Sequence, residues 1–256
     1  MNLKTLRALT AGAAFLLSAN VYTLAAAELK VSGAAAVAGN IVMPNKAAIE
    51  KETGLTLNVT ANGDGNGLMD LYAGKVDVAM VAAPIKVTEA ALNKAKPDSV
   101  SIAGFEVAPV GAIGISFIVN AANPVKSLTE AQLKDIFTGK ITSWKDVGGA
   151  DKPILVVAEA AGFGTRSNIV ASFLGGTEIT DKARIMQALA QVGQVVGQAP
   201  DAIGYGNAAS IKAAGAVAVV PGAEVKQALG LATKGAPNAD VKKLIEATAK
   251  YGAAVK

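Results

Sequence analysis

The sequence predicts a mixed α/β fold in which mainly parallel sheets are flanked by helices. Short apolar segments that suit strands alternate with amphipathic segments that suit helices, the pattern of parallel α/β architectures. With 256 residues, 52% of them hydrophobic, the chain can bury one large or two medium cores. A Val- and Ile-rich run at residues 107–120 suits a buried strand that continues from one domain into another.

The N-terminal residues have the organisation of a signal peptide. Lys4 and Arg7 precede an apolar stretch at residues 8–17, and three alanines at residues 25–27 offer a cleavage site. We therefore expect residues 1–27 to be removed on export. An uncleaved membrane anchor is the competing interpretation, but the apolar stretch is short and interrupted by polar residues. No Cys follows it, which excludes a lipid-modified N-terminus.

Charge and composition exclude several classes of function. Without residues 1–27, which contain Lys4 and Arg7, the net charge falls from +4 to +2, so the basic pI is no evidence for nucleic-acid binding. The chain contains neither Cys nor His. It therefore has no thiol nucleophile, no Ser-His-Asp triad, no zinc or copper site with nitrogen or sulfur ligands, and no disulfide.

In the first half of the chain, the hydrophobic pattern predicts three strands and three helices. Gly54 suits the end of the first helix, Pro44 a break or restart within it, and Thr88 the N-cap of the third. The strands are predicted at residues 29–31, 55–59 and 76–81, and the helices after a small-residue loop at 32–36, at 68–73 after a flexible Gly- and Asn-rich loop at 62–67, and at 87–96.

In the second half, the long strand at residues 107–120 precedes a helix that ends at Phe137. Thr129 and Gln132 have the spacing of a capping box at the start of that helix. The further predicted elements are a strand at residues 154–157, helices at 165–173 and 181–196, a strand at 202–205 and a C-terminal amphipathic helix at 239–251.

Residues 128–166 carry a resemblance to a known family. Ile136, Gly139, Lys140 and Trp144 match an "IFxGKIxxW" pattern, which is followed here by two glycines, an apolar strand and a Gly-Phe-Gly-Thr turn at residues 162–165. This arrangement resembles the phosphate-type periplasmic solute-binding proteins of ABC importers, and the segment Ala-Ile-Gly-Tyr at residues 202–205 is similar to a later family segment. The resemblance covers residues 30 to about 220.

The resemblance implies a two-lobed type II periplasmic-binding-protein fold, each lobe being a mainly parallel sheet flanked by helices. Lobe 1 would comprise residues 28–112 and 203–256, and lobe 2 residues 113–202. The cleft between them would close on a small solute, a phosphate-like oxyanion or a diverged ligand, without a cofactor. The protein would be a monomer located in the periplasm. Its partner would be an ABC permease in the inner membrane. An enzyme or a nucleic-acid-binding role is not implied.

Proteins of this family bind their ligand with groups from four places in the chain, and the first two lie early in the sequence. The loop after the first strand supplies backbone N–H groups, with a Val where the family has a hydroxyl; a plain strand-to-helix turn is the alternative. The second loop has Asp64 in place of a serine, and Asp64 could instead cap the following helix. The candidates from these loops are Ser32, Gly33, Ala36, Val37, Asp64 and Gly65.

The third and fourth places also depart from the family pattern. At the third, Ala82 replaces the Asp that accepts the proton of a protonated phosphate. At the fourth, the resemblance places Glu159 where the family has Arg and Phe163 where it has Ser, while Gly164 and Thr165 are retained. Arg166 follows and points either into the cleft, toward Glu159, or to the surface. Phosphate selectivity of the usual kind is therefore not expected.

Two other classes of function stay open. The loss of several side-chain ligands at once suits a binding or sensing module that takes no part in transport. Asn62, Asp64 and Asn66 partly resemble a calcium loop, but Ala73 stands where such a loop needs its bidentate Glu, so no metal site is expected. The pair of Asp64 and Glu159 could act as an acid and a base in an enzyme, although such pairs are common by chance.

Overall fold

A computed structural model of the protein describes residues 26–215 and 217–253. The predicted signal peptide lies almost wholly outside these residues. The strands are β1 Glu28–Gly33, β2 Thr56–Thr60, β3 Val78–Val81, β4 Phe105–Asn120, β5 Leu155–Glu159, β6 Arg184–Met186, β7 Ala202–Gly206 and β8 Val217–Lys234. The α-helices are α1 Ala35–Val37, α2 Met43–Thr53, α3 Asp64–Tyr72, α4 Ile85–Ala95, α5 Glu130–Phe137, α6 Gly164–Asn168, α7 Leu189–Gln198, α8 Ala208–Ala214 and α9 Ala239–Gly252. Two π-helical segments, Ala38–Val42 and Ile169–Phe173, continue α1 and α6, and a 3₁₀ turn spans Trp144–Val147.

The eight strands form one sheet in the order β2-β1-β3-β8-β4-β7-β5-β6. Both ends of the sheet are parallel, because β1 pairs with β2 and β3, and β5 pairs with β6 and β7. The centre is antiparallel, since β4 and β8 pair from Phe105↔Lys234 to Asn120↔Val217. The mixed α/β fold class is thus confirmed, and the two long central strands connect the two parallel ends.

An aromatic cluster lies in the core beside the central strands. Phe117 of β4 lies with its ring centroid 5.1 Å from that of Phe137 and 4.7 Å from that of Phe173. Trp144 is buried as well, and its indole N–H donates to the Asp201 carbonyl at 2.9 Å. These rings contribute much of the apolar area that holds the fold without disulfides.

Several predicted helix ends are confirmed. Gly54 ends α2 in the left-handed conformation, with φ of 70°, as a C-terminal glycine commonly does. Pro44 lies at the point where the π-helical segment Ala38–Val42 passes into α2, so the regular helix restarts there as predicted. The predicted capping box is present, because Thr129 and Gln132 each accept a hydrogen bond from the other's backbone N–H.

Three local predictions are wrong. Thr88 does not cap α4, which begins after Pro84 and buries Thr88 in its first turns. Residues 62–67 are not an open loop, since α3 already begins at Asp64 and its Gly67 packs against the end of β1. The predicted helix at residues 181–196 starts later, because residues 184–186 pair with β5 as an edge strand. In each case a tertiary contact overrides the local pattern.

The capping box provides a direct test of the α5 boundary. We expect Thr129→Ala to lower the free energy of unfolding by about 1 kcal/mol, because the N–H of Gln132 loses its acceptor at the helix start. Urea unfolding monitored by circular dichroism would measure this. Thr177→Ala, at an exposed loop position, is the matched control; equal losses in the two variants would contradict a role for the cap.

Among the residues that the structure describes, we find no helix with the length and apolar character required for a membrane span.

Candidate functional site

A cavity of about 560 Å³ lies where the loops and helix starts of the two parallel ends of the sheet face each other. One side comes from the residues after β1, β2 and β3, and the other from the residues after β5, β6 and β7. The lining consists of Ala35, Ala36, Gly39, Asn40, Ala61, Asn62, Gly63, Asp64, Ala82, Glu159, Phe163, Gly164, Thr165, Gln187, Ala188, Leu189, Ala190, Asn207, Ala209, Ser210 and Ala213. Ligands of parallel α/β proteins bind at this edge, beyond the carboxyl ends of the strands.

Asp64 lies at the centre of the lining, at the first residue of α3, and is 2% exposed. Its Oδ2 accepts hydrogen bonds from the backbone N–H groups of Ala82 at 2.6 Å and Ala83 at 3.1 Å. A methyl group placed on Gly164, at the start of α6, would lie 2.3 Å from Oδ1, so only glycine allows this approach. The Asp64 carboxylate therefore bridges the two sides of the cavity.

The electrostatics of Asp64 follow from this position. Burial raises the pKa of Asp64 to about 6, and hydrogen bonds from the backbone N–H groups of Ala82, Ala83, Asp64 and Gly164 oppose that rise. Hydrogen bonds to a carboxylate favour its charged form, whereas desolvation favours the neutral form. Asp64 is consequently still mostly ionised at neutral pH.

Glu159, the last residue of β5, is the second buried carboxyl of the lining and is 4% exposed. Burial, together with the charge of Asp64, raises the pKa of Glu159 to about 8, while Arg166 and the Thr165 hydroxyl oppose the rise. Its Oε2 atom is buried and has no hydrogen-bond partner in the described structure. At neutral pH the two carboxyls therefore hold about one negative charge and one proton between them.

The structure brings seven of the twelve predicted site residues together in the lining. They come from all four predicted places, which lie far apart in the sequence: Ala36, Asp64, Ala82, Glu159, Phe163, Gly164 and Thr165. Five predicted residues are not part of the lining and lie just behind it: Ser32, Gly33, Val37, Gly65 and Arg166.

Ser32 and Gly33 have structural contacts at the end of β1. The Ser32 hydroxyl donates to Asp70 at 3.2 Å. Gly33 has φ of 128°, and a methyl group on it would lie 2.3 Å from the Met80 carbonyl oxygen. Val37 is fully buried in the core, and Gly65 packs against Leu92. These residues shape the loop without facing the cavity.

Arg166 also lies behind the cavity wall, with its side chain 11% exposed. Its Nη1 donates to the backbone carbonyl of Glu159 at 2.9 Å, and its Nη2 lies 3.3 Å from the Glu178 carboxylate. The guanidinium thus contacts the backbone of Glu159 and orients the end of β5. Of the three predicted positions, cleft, Glu159 or surface, Arg166 adopts the one toward Glu159, although it contacts the backbone carbonyl and not the carboxyl.

Sequence reasoning missed several polar residues of the site. Asn62, Gln187, Asn207 and Ser210 line the cavity, and Asn207 caps α8 by accepting from the Ser210 N–H at 2.8 Å. Gln227 is fully buried behind it and donates to the Ala82 carbonyl at 2.9 Å. Asn207 could have been predicted, because Asn is a preferred N-cap residue before a helix such as α8. Gln187 and Gln227 could not, because Gln187 follows β6 and Gln227 lies in β8. These two strands are recognised only from their pairing with β5 and β4.

The charge of the lining is unusual for an anion site. Within residues 26–215 and 217–253, the cavity is lined by two carboxyls and several amides and hydroxyls, but by no Lys or Arg. The Asp64 carboxylate already occupies backbone N–H groups of the lining region, those of Ala82, Ala83 and Gly164.

Comparison with known proteins agrees with this architecture. A putative phosphate ABC transporter substrate-binding protein with bound phosphate, from Clostridium perfringens, superposes with a TM-score of 0.70 at 25% identity, covering 86% of this chain and 92% of that one. An ABC-type phosphate transport receptor from Vibrio cholerae superposes with a TM-score of 0.66 at 22% identity, over 87% of this chain and 93% of that one. At this identity the similarity supports a shared fold only.

Sequence relatives lead in the same direction. The phosphate-binding protein PstS of Bacillus subtilis is 29% identical over 181 residues, which cover 71% of this chain and 57% of the relative. The chain thus matches little more than half the length of this curated relative. The fold of this chain is thus shared with the solved binding proteins named above.

The family model of the PBP superfamily domain matches residues 20–253. The chain belongs to the PBP superfamily.

Proposed function

We propose that the protein is the solute-binding component of an ABC importer, resembling the phosphate-binding component, and that it captures one small solute in the cavity. The observation that carries this proposal is the cavity itself, which is formed by two facing sets of loops and by the starts of α3 and α6. The relatives named above are described as phosphate-binding proteins, so a phosphate-like oxyanion is the first candidate. A diverged ligand is the second, because acidic residues line the cavity.

The rest of the proposal follows the superfamily pattern. Residues 28–112 with 203–256 would form lobe 1 and residues 113–202 lobe 2, and the lobes would close on the solute as hinged bodies. The protein would act as a monomer in the periplasm, after removal of residues 1–27, and deliver its cargo to a permease of the inner membrane. It would not be an enzyme, and no nucleic acid would be bound.

Calorimetric titration tests the proposal. The purified protein is unfolded and refolded to remove any bound ligand, and then titrated with inorganic phosphate and with a panel of small neutral and amine-bearing solutes. We expect saturable binding of one solute per chain, accompanied by a higher Tm, because a ligand that binds only the folded state stabilises it. If no solute of the panel binds or stabilises the protein, a non-transport role of the fold becomes the better interpretation.

A further inference from the structure

Two acceptor atoms of the lining residues lack hydrogen-bond partners in the described structure. One is Oε2 of Glu159, and the other is Oδ1 of Asn62. The orientation of the Asn62 amide is set by its Nδ2, which donates to Asp70 at 3.0 Å. Because buried polar atoms are nearly always satisfied, these two atoms call for a polar ligand. The Asn62 oxygen can only accept, and a cationic donor beside Glu159 would favour the ionised carboxylate, which also only accepts.

The backbone N–H groups of Ala82, Ala83 and Gly164, which could help to hold an oxyanion, are already occupied. The Asp64 carboxylate accepts from Ala82 and Ala83 and reaches the start of α6 at Gly164. It lies where an anion stabilised by helix N-termini belongs, and it is part of the chain itself. A free oxyanion at this place would displace the carboxylate or lie beside it, where the two negative charges repel each other.

On the basis of the proposed solute-binding function, we infer that the cavity takes a small solute that bears a protonated amine, with Glu159 and Asn62 as acceptors of its N–H groups and Asp64 as a built-in anion that excludes phosphate. N–H groups of such a solute would supply the donors that these oxygens lack, and its positive charge would offset that of the buried carboxyl pair. The cavity of about 560 Å³ leaves room for a second polar group of the solute near Asn207 and Ser210.

Matched probes test the amine. The refolded protein is titrated with ethanolamine and putrescine, and with ethylene glycol and butane-1,4-diol, in which hydroxyls replace the amines. We expect at least one amine to bind at least ten-fold more tightly than its diol. Glu159→Gln, which keeps the shape of the side chain but cannot carry a charge, should weaken amine binding at least ten-fold. Glu106→Gln, at an exposed position of β4 outside the lining, is the control and should leave amine binding unchanged.

Inorganic phosphate tests the built-in anion. Wild type should bind phosphate at least ten-fold more weakly than Asp64→Ser, in which the backbone donors are released. Asp64→Asn, which removes the charge and preserves the shape, is the second variant if Asp64→Ser does not fold. Circular dichroism of each variant verifies the fold before titration.

The outcomes separate the inference from the proposed function. Tight phosphate binding by wild type that Asp64→Ser weakens would overturn the inference and leave the solute-binding function standing. Amines that bind no better than their diols would also overturn it. If neither amines, diols nor phosphate bind, the inference falls and the proposed function loses its support as well.

Discussion

Glu159→Gln is expected to stabilise the folded protein at pH 8 by roughly 4 kcal/mol and to have little effect at pH 4. Burial and the charge of Asp64 raise the pKa of Glu159 from 4.5 to about 8 in the folded state. Between these values the unfolded chain releases the proton while the folded chain retains it. The free energy of unfolding therefore falls as pH rises through this range, and it levels off above about pH 8.

Asp64 also lowers the free energy of unfolding as pH rises, but over a narrower pH range, because its pKa rises only from 3.8 to about 6. Glu159→Gln should therefore remove most of the pH dependence between pH 6 and 8 and leave part of the dependence below pH 6. Urea unfolding at pH 4, 6 and 8 would measure both. Glu106→Gln, an exposed position on β4, is the control, and an unchanged slope in Glu159→Gln would contradict the burial of an uncompensated carboxyl.

This stability prediction has a functional counterpart. The Glu159 carboxyl is expected both to destabilise the ligand-free protein and to accept a hydrogen bond from a ligand amine. Residues that serve function often lower stability in this way. Glu159→Gln should thus be more stable at pH 8 than wild type and bind amines more weakly. A variant that gains stability without losing amine affinity would separate the two roles.

Gly33→Ala is expected to lower the free energy of unfolding by about 3 kcal/mol or more. Gly33 has φ of 128°, and its new methyl group would lie 2.3 Å from the carbonyl oxygen of Met80, which is itself held by the Ala34 N–H at 2.8 Å. Neither backbone can shift freely, because β1 and β3 are paired at this point. The substitution should separate the two strands next to the cavity.

Gly39→Ala is the matched control for Gly33→Ala. Gly39 lies a few residues further along, in a helical conformation, and no atom lies within 4 Å of the position of its added methyl group. Alanine there should be neutral or stabilising by about 0.5–1 kcal/mol. The urea midpoints of the two variants compare them directly. Similar losses in both would show that strand separation is not the cause.

Much of the fold could be predicted because its signals are local. The Thr129–Gln132 capping box, Gly54 at the end of α2 and the apolar run of β4 depend on neighbours within a few residues. The strand β6 and the early start of α3 could not be predicted in this way. Their residues adopt these conformations because β5 and β1 lie beside them, and no local pattern records that contact.

The sequence by itself determined the class of this protein: an α/β chain without Cys or His, with the motif around Trp144 and the turn at Gly164 that place it in a binding-protein family. It also identified Asp64 and Glu159 as departures from an anion site. Only the tertiary structure decided that Asp64 is held by Ala82 and Ala83 and that Glu159 keeps an unpartnered oxygen. Burial and hydrogen bonding between distant segments set the charge of a site, and these depend on contacts that no single segment contains.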